Sequence, residues 1–375
     1  MARERQPSRS ELLLIPGPVS IDDEILDLLG QPVMAHYGDA WTELYLRTAG
    51  NLRQVFKTAS EVHLVFGPGM SAIEMAITSV LGPGDKILIP SNGMFGERMA
   101  DVARTNGLQV VVIETPPREP VSFDAVREAF DAHPDLRAVG IVHHETSIGV
   151  LNPVREIAGL ARERGVLSIV DAISSAGGVE LDVDGWGIDL CVTVANKALG
   201  GPIGVAPITA GPRALAALDD GRPKAAGWYL NLATWRRYAD LWRNWHPHPT
   251  TMPTNVIRAF DGAVERVLEL GLDEHIRRHR AARDTVRDGL REMGFEMLVP
   301  DAVASPVTTA VLALPGMDLD GYMRWLLEEH DIRIGGGFGQ YAGTVFRIGH
   351  MGRAKDPEVV ERYLSLTAAY LDEHQ

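Results

Sequence analysis

The sequence predicts an α/β protein, with a large domain around a parallel or mostly parallel sheet and a smaller C-terminal α+β unit. Three observations carry this. Between residues 60 and 210 short apolar runs alternate with longer amphipathic stretches, the rhythm of strand–helix–strand units. Several of those runs are nearly continuous in Val, Ile and Leu, as strands covered on both faces must be. From about residue 295 the pattern changes to short strand-like runs mixed with two helical stretches.

The chain begins with a polar stretch and then a short apolar run, Leu12, Leu13, Leu14 and Ile15, that Pro16 cuts. That run is too short for the core of a signal peptide, and no apolar run nears the ~20 residues needed to cross a bilayer. The expected setting is the cytoplasm, with no membrane attachment. Candidate strands follow at 62–66, 86–90, 109–113, 138–142, 167–170 and 190–194. Amphipathic spacing predicts helices over 70–80, 96–105, 123–132 and 154–163. Right-handed crossovers would put the strand C-termini on one edge, where open α/β sheets bind ligands. Residues 224–250 differ. Trp228, Tyr229, Trp235, Tyr238, Trp242 and Trp245 crowd together, and His246-Pro247-His248-Pro249 breaks the pattern. One long helical stretch then runs from about Thr254 to Met293. The tail predicts a strand over 308–314, a helix over 319–330, a strand pair near 332–334 and 346–348, and a helix over 357–371.

A chain of 375 residues is long enough for two domains. Its 45% apolar and 23% charged residues are those of a globular protein. With 36 Lys and Arg against 50 Asp and Glu, the net charge is −14. A phosphate-backbone binder carries the opposite balance, so no nucleic-acid partner is expected. Cys191 is the only cysteine, which excludes an intrachain disulfide and a Cys-based zinc site. No metal is expected.

Three motifs bear chemistry. Gly67-Pro68-Gly69-Met70-Ser71-Ala72 follows a strand and opens a helix, where glycines allow close backbone approach and free amides attract an anion. It reads as a cup for one phosphate, as a loose dinucleotide fingerprint, or as a bare glycine turn. The fingerprint reading, a nicotinamide-dependent oxidoreductase, wants an acidic residue at the end of the next strand. That strand ends Pro90-Ser91-Asn92. Asp171 closes a hydrophobic strand, where it would either face the ligand crevice or cap the next helix. Lys197 follows the apolar run 192–195 and precedes Gly200-Gly201. A lysine is normally solvated, and burying its charge there is costly. An anion cup, an aspartate and a lysine on one sheet edge are the set that pyridoxal 5'-phosphate requires. The lysine forms a Schiff base with its aldehyde, the aspartate keeps the ring nitrogen protonated, and the helix start holds the phosphate.

With those residues in place, the sequence resembles the class V, fold-type I aminotransferases. These include alanine–glyoxylate, serine–pyruvate, aminoethylphosphonate and pyridoxamine–pyruvate aminotransferases. The resemblance runs from Pro16-Gly17-Pro18 to Arg347-Ile348-Gly349-His350-Met351-Gly352. It also includes Asn92-Gly93-Met94-Phe95-Gly96, His144-Glu145-Thr146-Ser147-Ile148-Gly149, Asp171-Ala172-Ile173-Ser174-Ser175, Asn196-Lys197 and Thr251-Met252-Pro253. It implies a seven-stranded large-domain sheet, with residues 1–20 lining the active site, 21–255 forming the large domain and 256–375 the small one. It implies that Lys197 is the Schiff-base lysine and proton shuttle and that Asp171 pairs with the ring nitrogen. Phe95 and Ile173 would cover the two ring faces, and Thr146 would sit near the ring hydroxyl. Gly69, Met70, Ser71 and Asn196 would hold the phosphate. Thr251 would reach the phosphate of a neighbouring subunit in a homodimer. Gly17 would line the entrance, and Arg347 would grip the substrate carboxylate.

The expected reaction moves an amino group from a small amino acid, alanine or serine in type, to glyoxylate or pyruvate. Aminoethylphosphonate, ureidoglycine and pyridoxamine are the alternative donors. Pro68, Phe95 and Phe338 stand where the pyridoxamine–pyruvate type is expected to have Glu, Tyr and a second Arg, which weighs against pyridoxamine. Met70 replaces a His common among relatives, and His248 stands where the alanine–glyoxylate type has a crossing Tyr. The 228–245 aromatics read as packing at a subunit or domain contact rather than as a lid. His275 and His279 have metal-compatible spacing, but Arg277, Arg278 and Arg280 make their face read as solvated. His143 and His144 read as structural histidines at a strand end, and Cys191 as an inert thiol in a strand.

Overall fold

The structure is a computed structural model that describes residues 11–116 and 118–374. In chain order the elements are β1 (Leu12–Leu14), α1 (Asp23–Leu29), α2 (Asp39–Phe56), β2 (Val62–Phe66), α3 (Gly69–Val80), β3 (Lys86–Ser91), α4 (Met94–Thr105), β4 (Gln109–Glu114), α5 (Phe123–Ala132) and β5 (Leu136–Val142). The hairpin β6 (His144–Glu145) and β7 (Val150–Leu151) leads to α6 (Val154–Glu163), β8 (Leu167–Asp171), β9 (Leu190–Val192) and β10 (Val205–Ala210). Then come α7 (Pro212–Leu218), α8 (Leu232–Leu241), α9 (Thr254–Leu270), α10 (Leu272–Glu292), β11 (Glu296–Met297), β12 (Thr308–Leu312), α11 (Leu319–His330), β13 (Ile332–Gly336), β14 (Val345–Gly349) and α12 (Pro357–His374).

The large sheet has the order β2-β10-β9-β8-β5-β3-β4. Its β9-β8-β5-β3-β4 neighbours pair in parallel, and β10 is antiparallel to both β2 and β9. β10 is absent from the sequence expectation because Pro207 interrupts its run, and proline argues against an interior strand. The structure accommodates it where β9 ends. The Thr193 N–H donates to Pro207 O at 2.9 Å, and proline has no N–H to return. The regular ladder between β9 and β10 therefore stops at Val192 and Ile208, and one further bond, from the Ala195 N–H to Val205 O at 3.0 Å, holds the chain as it approaches Lys197.

The expected long helix from 254 to 293 is two helices, broken at Gly271 with φ +88°, a backbone region that favours glycine. The apolar cores change near the same point. Ile257, Phe260 and Val264 of α9 belong to the large core, whereas Ala282, Val286 and Leu290 of α10 belong to the small one. The change of core thus falls between α9 and α10. α2, which the sequence reading leaves unassigned, buries Trp41, Leu44, Tyr45, Thr48, Ala49, Leu52, Val55 and Phe56, a helical stripe. It is tied to α9 by Asp261, which accepts from Arg47 Nε at 3.0 Å and Thr48 Oγ1 at 2.8 Å.

The small sheet has the order β1-β13-β14-β12-β11. Its edge strand β1 is the short apolar run at residues 12–14, parallel to β13. Residues 15–18 continue from that edge strand into the large domain's site. Two glycines make the passage possible: a Cβ on Gly349 would lie 2.1 Å from Ile15 O, and one on Gly335 would lie 3.1 Å from Pro16 Cδ.

Candidate active site

Lys197 reaches its place because the turn after it is tight. The Gly200 N–H donates to Lys197 O at 2.9 Å, and the Gly201 N–H to Ala195 O at 2.9 Å. Gly200 has φ +70°, and a Cβ on Gly201 would press within 2.8 Å of Phe260. The Lys197 ammonium donates to Pro16 O. A Cβ on Gly17 would fall 2.6 Å from Lys197 Nζ and 2.5 Å from its Cδ. Gly17, expected to line the substrate entrance, thus packs directly against Lys197. Burial, and then the Arg347 charge, pull the Lys197 ammonium down to about 8, against the opposing pull of Asp171.

Asp171 ends β8 and is 5% exposed. One oxygen, Oδ1, accepts from the Ile173 N–H at 2.8 Å, and Oδ2 has no hydrogen-bond partner among the described residues. Burial lifts this carboxyl to about 7; the nearby Glu145 charge adds to the rise, while the Ile173 N–H and Lys197 oppose it. Such a carboxyl asks for a cation. A protonated ring nitrogen meets that need.

At the start of α3 the N-cap is Pro68, which offers no side-chain cap. The Ser71 N–H and hydroxyl both turn back to Pro68 O, at 2.9 and 2.7 Å. The N–H groups of Gly69 and Met70 have no partner among the described residues, which suits an anion. Gly69 is required by its neighbour: a Cβ there would lie 2.6 Å from Ile173 Cδ1. The phosphate end and the Ile173 wall therefore adjoin. The structure thus fits the pyridoxal 5'-phosphate expected from the sequence.

Arg347 lies in β14, between Ala310 of β12 and Gly335 of β13. Its Nε donates to Gly336 O at 2.8 Å and its Nη1 to Thr146 O at 3.1 Å. The guanidinium stands 4.1 Å from the centre of the Phe338 ring. Nη2 has no hydrogen-bond partner among the described residues. Burial pulls this group down to about 10, countered by Glu145; it stays cationic at neutral pH. Thr146 is buried, and its hydroxyl lies 3.4 Å from His144 O.

Phe95 is half-buried near the start of α4, with Arg98 5.4 Å from its ring centre. Asn196 is half-buried beside Lys197. Thr251 is exposed and makes no hydrogen bond or ion pair with Lys197, Asp171 or Arg347. It lines an open cleft with Phe66 and Tyr229 at the end of β2.

Several neighbours escaped sequence reasoning. Glu145 and Ser147 serve the amides that open α4. Asn92 and Asn152 bond each other, with amide nitrogen to oxygen distances of 2.8 and 3.2 Å. His143 and His144 are buried, and burial pulls them down to about 4 and about 3, so both are neutral. The solvated face expected at His275 and His279 is corrected: both are buried, and His275 Nε2 bonds Ala198 O at 2.9 Å, next to Lys197. The two lie on the α10 stripe of Ile276, Ala282, Val286 and Leu290. Burial pushes the Cys191 thiol far above its ordinary range, as an inert thiol requires.

The sequence profile described as Aminotransferase class-V matches residues 21–348. An uncharacterized aminotransferase of Methanocaldococcus jannaschii is 33% identical over 93% of this chain and 90% of its own length. The L-aspartate–glyoxylate aminotransferase of Paracoccus denitrificans is 32% identical over 92% of this chain and 87% of its own. The crystal structure of an alanine–glyoxylate aminotransferase from Nostoc superposes with a TM-score of 0.91 at 32% identity, covering 97% of this chain and 96% of that one. These matches leave no room for the nicotinamide reading of the glycine turn. They agree with a lysine in the turn after β9, a buried carboxyl and an amide cup gathered at one sheet edge: the chain belongs to the class V aminotransferase family, a pyridoxal 5'-phosphate-dependent transaminase of fold-type I.

Proposed function

We propose that the chain moves the amino group of a small α-amino acid, alanine or serine in type, to glyoxylate or pyruvate. The observation that carries this is Arg347. Its fork is anchored by Nε and Nη1 to backbone carbonyls and leaves Nη2 free, which suits one carboxylate. The Phe338 ring against the guanidinium supplies an apolar wall beside that carboxylate, where a dicarboxylate would need a second cation.

Bound pyridoxal 5'-phosphate supplies an aldehyde that accepts the donor amine and a ring that withdraws electrons from its α-carbon. In this reading Lys197 holds the aldehyde end and, with its proton affinity lowered by burial, carries a proton at Nζ to and from substrate. Asp171 holds the proton on the ring nitrogen. Phe95 and Ile173 enclose the ring, and Thr146 lies beside its hydroxyl. Gly69, Met70, Ser71 and Asn196 hold the phosphate. Thr251 completes that cup from a second copy of the chain. The exposed rings of Tyr37 and Trp245, 6.1 Å apart, support a homodimer by offering an apolar surface for a second copy. No helix among the described residues is long and apolar enough to cross a membrane. A cytoplasmic setting is part of this reading.

The test is a donor panel of alanine, serine, aspartate, aminoethylphosphonate, ureidoglycine and pyridoxamine, each with pyruvate and with glyoxylate. Alanine or serine is expected to give the highest kcat/KM. A tenfold preference for any other donor sinks the substrate reading, and unimpaired transamination by Lys197→Ala sinks the site.

A further inference from the structure

Glu145 is fully buried on β6. Its Oε2 accepts from the backbone N–H of Phe95 at 3.1 Å and of Gly96 at 3.3 Å. Its Oε1 accepts from the Ser147 N–H at 3.1 Å and from the Ser147 hydroxyl. Ser147 Oγ in turn accepts from the Met94 N–H at 3.3 Å. The amides of the first three residues of α4 are therefore met from another element. The N-cap residue that usually does this is Gly93, which has no side chain. Gly93 cannot be larger: a Cβ would lie 2.5 Å from Ser147 Oγ and 2.6 Å from Glu145 Cγ. A buried carboxylate is kept only where donors surround it, and a helix start favours its charge.

The bonds fall on Phe95 itself and on its two neighbours. We propose that Glu145 is a positioning residue that fixes Phe95 as the wall against one face of the ring of bound pyridoxal 5'-phosphate. This rests on the reading that Phe95 stacks on that ring. Without Glu145 the first turn of α4 has unmet amides, and the backbone that aims the Phe95 ring is no longer held. Gln is a poor substitute, since its NH2 group faces a donor where an acceptor is needed.

The experiment is a double-mutant cycle on the holoenzyme with Phe95→Leu, Glu145→Gln and both together, reading the cofactor dissociation constant and the visible circular dichroism of the bound cofactor. Phe95→Leu is expected to weaken retention about tenfold, and Glu145→Gln severalfold with a smaller dichroic band. The double variant is expected to match Phe95→Leu within twofold, because the two act through one contact. If the two losses multiply, or if Glu145→Gln changes neither reading, the proposal is overturned. An unchanged dissociation constant in Phe95→Leu alone would instead remove the stacking reading on which it rests. Should Glu145→Gln fail to fold, Ser147→Ala takes its place in the cycle. It is then expected to lower retention two- to threefold in the wild-type background and not in Phe95→Leu, and equal losses in both backgrounds overturn the proposal.

Discussion

Gly17→Ala should disable the enzyme while leaving its fold intact. The residue has φ +93°, a region that a residue with a Cβ enters at about 1–3 kcal/mol. The added methyl would also sit 2.5 Å from Lys197 Cδ, 2.6 Å from Nζ and 2.7 Å from Cε. Lysine is flexible, so the clash is relieved by swinging Lys197 away, at about 0.5–1.5 kcal/mol for an off-rotamer chain. The stability loss is then about 1.5–4.5 kcal/mol, summing the two terms. The catalytic loss is larger in kind, because a shift of about 1 Å at a reacting group costs on the order of a hundredfold. Gly38→Ala is the control: φ is +89°, and nothing lies within 4 Å of its Cβ. It pays the backbone cost without touching Lys197. Urea unfolding and steady-state kinetics on both variants separate the effects. Comparable destabilisation is expected, with kcat falling roughly a hundredfold only in Gly17→Ala. A Gly17→Ala enzyme with kcat within twofold of wild type would refute the packing argument.

Arg347→Lys replaces the fork by a point charge and frees the carbonyls of Gly336 and Thr146. Losing a charge-assisted bond of about 1.5–3 kcal/mol should raise KM for both amino and oxo acid by roughly ten- to a hundredfold, read in initial rates. Gly69→Ala pushes Ile173 Cδ1, 2.6 Å from the new methyl, towards the ring space. Cofactor retention in equilibrium dialysis should drop severalfold, with secondary structure unchanged in the far ultraviolet. Asp171 predicts a pH dependence for the cofactor-free protein. The folded carboxyl, lifted to about 7 from 3.8, holds its proton longer than the unfolded chain does. Its stability contribution is present in acid and lost as the pH rises from about 4 through 7. At about 1.4 kcal/mol per unit that is about 4 kcal/mol. Unfolding at several pH values should show this slope in wild type and lose it in Asp171→Asn.

The interior parallel strands were legible because burial on both faces forces continuous apolar runs, as at 138–142 and 167–170. β10 was hidden by Pro207, whose missing N–H matters only against a full ladder, and β9 stops short of one. The break at Gly271 was hidden because α9 and α10 share a helical period on either side of one residue. Arg277, Arg278 and Arg280 masked the α10 stripe, although His275 and His279 keep step with Ala282, Val286 and Leu290. In the site, Asp171 and Lys197 could be read from strand ends. Arg347 needed a family resemblance, since an arginine between Phe346 and Ile348 in a five-residue strand reads equally as an outward-facing position. Glu145 was illegible for a different reason: the amides it serves lie 50 and 49 positions away, and only the fold brings them together.

The groups proposed to react and to bind substrate come from two sheets, and residues 15–17 run between them. Lys197 and Asp171 stand at the ends of large-sheet elements, whereas Arg347 belongs to the small sheet. β1 is an edge strand of the small sheet, yet Pro16, just beyond it, receives the Lys197 ammonium. Gly335, Gly349 and Gly17 let this segment press against β13, β14 and Lys197 in turn. Thr146 O fixes the opposite flank by accepting from Arg347 Nη1. Arg347, the proposed carboxylate grip, and Lys197, the proposed reactive amine, are therefore each held by backbone contacts, at Thr146 and Gly336 and at Pro16. A substrate whose carboxylate and amine share one carbon is expected to suit a site in which both groups are held by backbone contacts. The planar Arg347 fork, held by Nε and Nη1, suits a planar carboxylate better than a tetrahedral phosphonate, so α-amino acids are expected to outperform aminoethylphosphonate in the donor panel.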